Sequence, residues 1–208
     1  TILANIENQK MIIELEDASS PEYPEMIIAL ADFYWDLSET YFRRAESDKL
    51  AEAIYQAEEA KDLKGLKKHK AKKLSFVMKQ REYQEKTVGQ YRDVIRRFPS
   101  ARKIDNIRYY LGYHLYAMGR LDEGKDVYYE LVLKHPSSPY VPDSLVNIGE
   151  YYFERNDYQS ALKLYSQVEK YPDAPALAYA TYKQSWSHYN LGDYNACLTK
   201  MVAVIKIT

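Results

Sequence analysis

The sequence has a single cysteine, Cys197, which excludes an intramolecular disulfide and a cysteine-rich zinc site. Glycine and proline are scarce, seven and eight in 208 residues, too few to punctuate an all-β chain with a turn roughly every ten residues. No run approaches the roughly 20 uninterrupted apolar residues of a membrane-spanning helix, since even Met26 to Leu37 is broken by Asp32 and Asp36. No basic-then-apolar leader follows Thr1, so any signal peptide or lipid anchor is expected outside this sequence. What the chain does have is a hydrophobic content of 46%, enough to bury a sizeable core and to exclude disorder for most of its length. It also has 22 tyrosines, against seven Phe and Trp together. Helix is the expected structure, with an unusual demand for amphipathic rings.

A net charge of −1 conceals strong segregation. Residues 1–60 carry 14 acidic and 4 basic side chains (−10), residues 61–108 carry 5 and 16 (+11), and residues 109–208 carry 11 and 9 (−2).

A fixed period runs through the chain. Tyr91, Tyr128 and Tyr165 are 37 residues apart, while Pro99, Pro136 and Pro172 follow at intervals of 37 and 36. Each proline ends an amphipathic run at the same phase, because it cannot continue a helix. Within each period a small residue (Gly112, Gly149, Ser185) precedes a turn by seven residues, and another (Gly124, Ala161, Cys197) follows it by five. The turns are Gly119-Arg-Leu-Asp, Asn156-Asp-Tyr and Gly192-Asp-Tyr, where Gly or Asn can take the left-handed conformation that ends a helix. The unit is helix, tight turn, helix.

This pattern resembles the tetratricopeptide repeat, typically about 34 residues with small residues at two helix-crossing positions, an aromatic on the second helix and a closing proline. The repeats fall at 102–136, 142–172 and 178–208, the last weakened by Gln184 and His188 at usually apolar positions. The resemblance implies an all-α fold, a TPR-like right-handed α-solenoid of antiparallel helix pairs.

The first half is less regular. Ser19-Ser-Pro-Glu-Tyr-Pro24 echoes Ser137-Ser-Pro-Tyr-Val-Pro142, so Pro24 should open another first helix. Its partner ends at Pro99, and the excess length between them reads as one elongated helical hairpin over 24–99. Its arms would be 24–64 and 66–98, with the tip near Gly65 as the only breaker. At 1.5 Å per residue the arms would span roughly 60 and 50 Å. Glu58 and Glu59 would then oppose Lys70, Lys72 and Lys73. The alternative is a separate short repeat over 68–98, turning near Glu82. Residues 1–18 read as the second helix of a preceding repeat, and 194–207 as a final helix without a closing proline, as though both ends were cut from a longer array.

Chemistry-bearing motifs are few. The four histidines have no second His or Cys at metal-ligand spacing, and the glycines form no phosphate loop. The reading is therefore non-enzymatic, with no metal and no cofactor. The stretch Lys61 to Arg81 holds nine basic residues and one acid, including Lys64, Lys67, Lys68, Lys70, Lys72 and Lys73. Such a stretch could meet phosphates or anionic lipid. Only Phe76 interleaves there, so nucleic acid is the less favoured ligand and a solvated tip paired with its acidic arm the simpler reading.

By the resemblance, ligands of such repeats lie on a concave face lined by the first helix of each pair. Its positions here are Asn106, Tyr109, Tyr113, Tyr116, Ala117, Asp143, Val146, Glu150, Phe153, Glu154, Tyr179, Tyr182, Trp186, Tyr189 and Asn190, and eight of the fifteen are aromatic. Tyr and Trp are enriched at binding hot spots, though the same rings could simply pack between repeats. The clamp of basic residues and Asn that some members of the family close on a C-terminal carboxylate is absent.

The wording of the repeats, with His135-Pro-Ser-Ser, Tyr140-Val-Pro-Asp, Gly149-Glu-Tyr-Tyr-Phe-Glu and Tyr189-Asn-Leu-Gly-Asp-Tyr, is similar to that of bacterial cell-envelope repeat proteins. These are outer-membrane assembly lipoproteins, the Tol–Pal coordinator and, closest in phrasing, repeat proteins of myxobacterial adventurous gliding. The likeness covers about 24–45 and 99–200. It implies a periplasmic or outer-membrane-associated scaffold that binds a protein or peptide, with a cytoplasmic location as the alternative.

Overall fold

In a computed structural model, which describes residues 1–207, the fold is all-α and TPR-like, built of antiparallel helix pairs. The chain divides into two compact units, Thr1–Arg102 and the remainder from Lys103.

In the first unit, α1 (Ile2–Leu15) lies on α2 (Tyr23–Ala45), burying Ile6 and tying Gln9 Nε2 to the Met26 carbonyl at 3.0 Å. α2 starts with Pro24 in its first turn, where no N–H is needed, and ends on Arg43 and Arg44, which complement the carbonyl end of the helix dipole. Its buried stripe of Ile27, Leu30, Ala31, Tyr34, Leu37, Tyr41 and Ala45 has helical spacing. The partner of this stripe is α4 (Leu63–Arg97), about 52 Å long at 1.5 Å per residue, with Val88, Tyr91 and Val94 buried. Thr87 Oγ1 donates to the Ala31 carbonyl at 3.1 Å and Tyr91 Oη to Asp32 at 2.9 Å.

The first arm of the hairpin is not one helix. α2 stops at Ala45 and α3 (Asp48–Glu59) starts afresh. Ser47 makes the break: its hydroxyl turns back to the Arg44 carbonyl at 3.1 Å, and Ser-Asp is a helix-start sequence. The tip is also displaced from Gly65. The chain reverses at 60–62, where Lys61 takes a left-handed φ of 53° and Asp62 caps α4 by accepting from Gly65 N at 3.0 Å. Gly65 thus lies inside the first turn of α4, where a Cβ would collide with the Asp62 carboxylate. The second arm is continuous through Glu82, so 68–98 forms no separate repeat. Lys70 pairs with Glu58 at 2.8 Å, whereas Lys73 reaches Glu46 at 3.0 Å. Leu74, Val77 and Met78 are exposed, because α3 covers only one side of this end of α4.

The second unit stacks three pairs, α5 (Ile104–Ala117) with α6 (Leu121–Lys134), α7 (Val141–Phe153) with α8 (Tyr158–Gln167), and α9 (Ala176–Asn190) with α10 (Tyr194–Ile207). The turns within pairs are left-handed at Gly119, Asn156 and Gly192, and Asp157 and Asp193 cap the helices that follow. The periodic tyrosines are core residues. Tyr128 lies over Gly112 and Tyr165 over Gly149, where a Cβ on either glycine would enter the ring. The core joins Leu131, Val141, Leu145, Ile148, Ala161, Leu164, Val168 and Ala180 to these rings. Gln184, at an apolar position of the pattern, is fully buried and donates to the Tyr165 carbonyl at 3.3 Å.

Candidate functional site

α5, α7 and α9, the first helices of the three pairs, carry the residues of the expected binding face, and they are tied side by side. Tyr116 Oη donates to the Asn147 carbonyl at 3.2 Å, and Lys183 Nζ to Glu150 at 2.9 Å. The rings of this set divide into two kinds.

Tyr109, Tyr116 and Phe153 are half-buried and pack on the core. Tyr109 stacks on Tyr140 at 4.9 Å, and Tyr116 meets the Tyr128 ring edge-on at 5.3 Å above the small Gly124. Phe153 lies under the Lys183 ammonium at 3.7 Å. Burial pushes the Tyr109 hydroxyl up to about 12 and raises Tyr116 further, so these groups stay protonated donors rather than phenolate nucleophiles.

Tyr113, Tyr179, Tyr182 and Tyr189 instead face solvent, with 43–51% of their surface exposed. Along α9, Tyr179, Tyr182, Trp186 and Tyr189 form a ladder with ring centroids 6.3, 6.2 and 5.7 Å apart, because i, i+3, i+7 and i+10 fall on one helix face. Trp186 is half-buried, and its Nε1–H is shut off from solvent with no acceptor among the described residues. Two further exposed rings extend the surface: Tyr194 continues the ladder 5.6 Å from Tyr189, and Tyr110 stands edge-on to Tyr109 at 5.5 Å. The first-helix repeat positions omit both, since Tyr194 opens α10, the second helix of its pair, and Tyr110 sits one residue off the face. The bare Tyr-Tyr and Asp-Tyr pairs were the only available signal.

Glu150 is the polar hub. It accepts from Tyr165 Oη at 2.6 Å and from Lys183, satisfying a carboxylate that is three-quarters covered. The carboxyl pKa of Asp143 is raised by burial, with no cation beside it among the described residues, while Glu154 is exposed.

The basic set lies elsewhere, on the N-terminal half of α4. Lys64, Lys67, Lys68 and Lys72 are exposed, and Lys70 and Lys73 are paired as described. Among the described residues no group of three or more His, Cys, Asp or Glu is placed to hold a metal, and no helix is long and apolar enough to cross a membrane.

The sequence pattern of the tetratricopeptide repeat matches residues 107–138 and 143–174. No curated protein matches the chain significantly. Among solved structures, the crystal structure of BtubC (BKLC) from P. vanneervenii is similar to this chain with a TM-score of 0.51 at 16% sequence identity, over 99% of this chain and 87% of that one. At that identity the likeness concerns the fold alone. The matched pattern, the left-handed turns at Gly119 and Asn156, and the seating of Tyr128 on Gly112 and Tyr165 on Gly149 identify residues 107–138 and 143–174 as tetratricopeptide repeats.

Proposed function

We propose that this protein is a non-catalytic scaffold that binds a protein or peptide segment on the aromatic face of α5, α7 and α9. Tetratricopeptide repeats are in general protein-interaction modules. The observation that carries the choice of face is the exposure of Tyr113, Tyr179, Tyr182 and Tyr189, while the second-helix tyrosines Tyr128 and Tyr165 are fully buried. Exposed tyrosines in a row offer wide contact area at small entropy cost.

The test begins with peptides selected on the wild-type protein from a random display library. A Tyr113→Ala, Tyr182→Ala, Tyr189→Ala variant should bind them roughly 30-fold more weakly, or worse, as expected when hot-spot rings are removed. These side chains are exposed, so the variant should keep its helical content and thermal transition. A folded variant that binds the selected peptides like wild type sinks the choice of face.

We further propose that the scaffold serves a bacterial envelope machine and acts in the periplasm or at the outer membrane. The support is the phrasing shared with envelope repeat proteins around Tyr140-Val-Pro-Asp and Gly149-Glu-Tyr-Tyr. Fractionation of cells expressing the natural full-length protein should place it in the envelope or periplasmic fraction; recovery in the cytoplasmic fraction overturns this placement.

A further inference from the structure

Where α2 gives way to α3, the break at Glu46–Ser47 opens a surface cleft of about 460 Å³ against α4. Its floor is apolar, from Leu50, Ala53 and Phe76. Its walls are not. Arg43 and Arg44 from the end of α2, Lys49 from the start of α3, and His69 and Lys72 from α4 all line it, together with the hydroxyl-bearing Thr40 and Ser47. Among the described residues, no carboxylate lines it.

The cations just outside the cleft behave differently: Lys70 and Lys73 each hold a glutamate within 3.0 Å. Among the described residues, Arg43, Arg44, Lys49 and Lys72 have no carboxylate within 4.0 Å. The nearest acids along the chain do not supply one. Glu46 is engaged by Lys73, Glu52 by Gln56, and Asp48 opens α3 without lining the cleft. Arg43 reaches only the Thr40 hydroxyl, at a long 3.4 Å, and Lys72 lies 5.9 Å over the Phe76 ring.

The same cleft receives the N-terminus of α3, a 12-residue helix whose Ser47 makes no side-chain cap because its hydroxyl is turned back to the Arg44 carbonyl. Leu50 N and Ala51 N already donate to the Ser47 carbonyl, so what this first turn adds to the cation cluster is the N–H groups of Asp48 and Lys49 and the positive end of the dipole. Arg43, Arg44, Lys49 and Lys72 are exposed, Arg44 also lying 5.5 Å over the Tyr41 ring, and like charges that line one cleft from three helices with no carboxylate among them suit an external multivalent anion. Two guanidiniums supply the paired donors that suit tetrahedral oxyanions, and lysines supply compact charge.

We propose that this cleft binds a phosphate-bearing ligand, held by Arg43, Arg44, Lys49 and Lys72 at the N-terminus of α3. His69 supplies a further ring N–H, since the Thr40 and Ser47 hydroxyls already donate to the Asp36 and Arg44 carbonyls, and the apolar floor leaves room for an organic group attached to the phosphate. The ligand's phosphate is either that of a soluble phosphoester or that of a lipid headgroup, and the two are separable.

The test uses the whole chain at physiological ionic strength. Pyrophosphate titrated by calorimetry and by amide NMR should bind saturably, with shifts concentrated at Ser47–Leu50 and at His69. An Arg44→Gln, Lys72→Gln variant should weaken binding roughly tenfold or more, the loss expected when charge-assisted hydrogen bonds are removed. A Lys67→Gln, Lys68→Gln variant removes the same charge outside the cleft and should bind within about twofold of wild type. Cosedimentation with phosphatidylcholine vesicles containing phosphatidic acid then distinguishes the sources. Retention that also needs Arg44 and Lys72 assigns a headgroup, and pyrophosphate binding without retention assigns a soluble phosphoester. Absence of saturable pyrophosphate binding by the folded wild type overturns the proposal, as does equal weakening by the Lys67 and Lys68 changes, which would mark diffuse charge rather than a site.

Discussion

Tyr165→Ala is expected to destabilise the second unit by about 3–5 kcal/mol, the range for removing a fully buried large ring. The ring is wedged between α7 and α8 on the bare backbone of Gly149 and joins the core around Ile148, Ala161 and Val168. Its loss leaves a cavity between the two helices and removes the hydrogen bond that Tyr165 Oη donates to Glu150 at 2.6 Å. The same contact predicts a coupling. In wild type, Gly149→Ala drives a methyl into the Tyr165 ring, within 2.8 Å of Cδ1, and overpacking of this kind costs about 1–3 kcal/mol. With the ring already removed the methyl has room and alanine gains its helix propensity, so the double variant should be no less stable than Tyr165→Ala alone. Each unit holds one tryptophan, Trp35 and Trp186, so urea unfolding in a Trp35→Phe background reads the second unit through Trp186. Strictly additive losses would show that the Gly149–Tyr165 contact does not govern the pairing of α7 with α8.

Stability should also fall on mild acidification, through His114. This residue sits on the buried face of α5 between Leu111 and Leu115, and desolvation pushes its pKa down to about 4 from an ordinary value near 6.5. The unfolded chain therefore binds a proton between these values that the folded chain refuses. The contribution is fully present above about pH 6.5 and is lost as pH falls towards 4, about 3 kcal/mol in all. Other groups act elsewhere or with opposite sign. Glu130 and Glu169, lowered first by hydrogen bonds from Lys134 and Lys200, lose their stabilisation only within and below the carboxylate range. Asp32 and Asp143, raised by burial, take up protons earlier in the folded chain and partly offset the loss. Comparison with His114→Leu cancels these terms, since they are common to both proteins. The variant's stability profile between pH 6.5 and 4 should be flatter by about 3 kcal/mol whatever its absolute stability. Parallel profiles would mean that His114 is solvated in the folded chain.

How much of this could be read from the residues differs between the two halves. In the second unit the period of Tyr128 and Tyr165 and the small residues at 112, 149 and 161 place the helix pairs, because ring-over-glycine packing needs those residue types at that spacing. The turns at Gly119, Asn156 and Gly192 were equally legible, since left-handed backbone favours few residues. In the first unit the excess length pointed to a long α4 but not to the break at Ser47. Serine's preference for a helix start is weak beside an amphipathic run, and its hydroxyl took a local carbonyl that no periodicity reports. Gly65 misled for a related reason: it makes room for the Asp62 cap, while the reversal itself falls on Lys61.

For the candidate site, sequence placed Tyr109, Tyr113, Tyr116, Phe153, Tyr179, Tyr182, Trp186 and Tyr189 on first helices, because helical phase is a property of the chain alone. Which rings remain available was decided only by packing between helices, which drew Tyr109, Tyr116 and Phe153 onto the core and left Tyr113, Tyr179, Tyr182 and Tyr189 in solvent. The cation cleft shows the same division. Composition revealed an excess of lysine and arginine, but pairing is a matter of distance in space, and only the fold separates Lys70 and Lys73, matched with glutamates, from Arg43, Arg44, Lys49 and Lys72, which converge without a counter-charge.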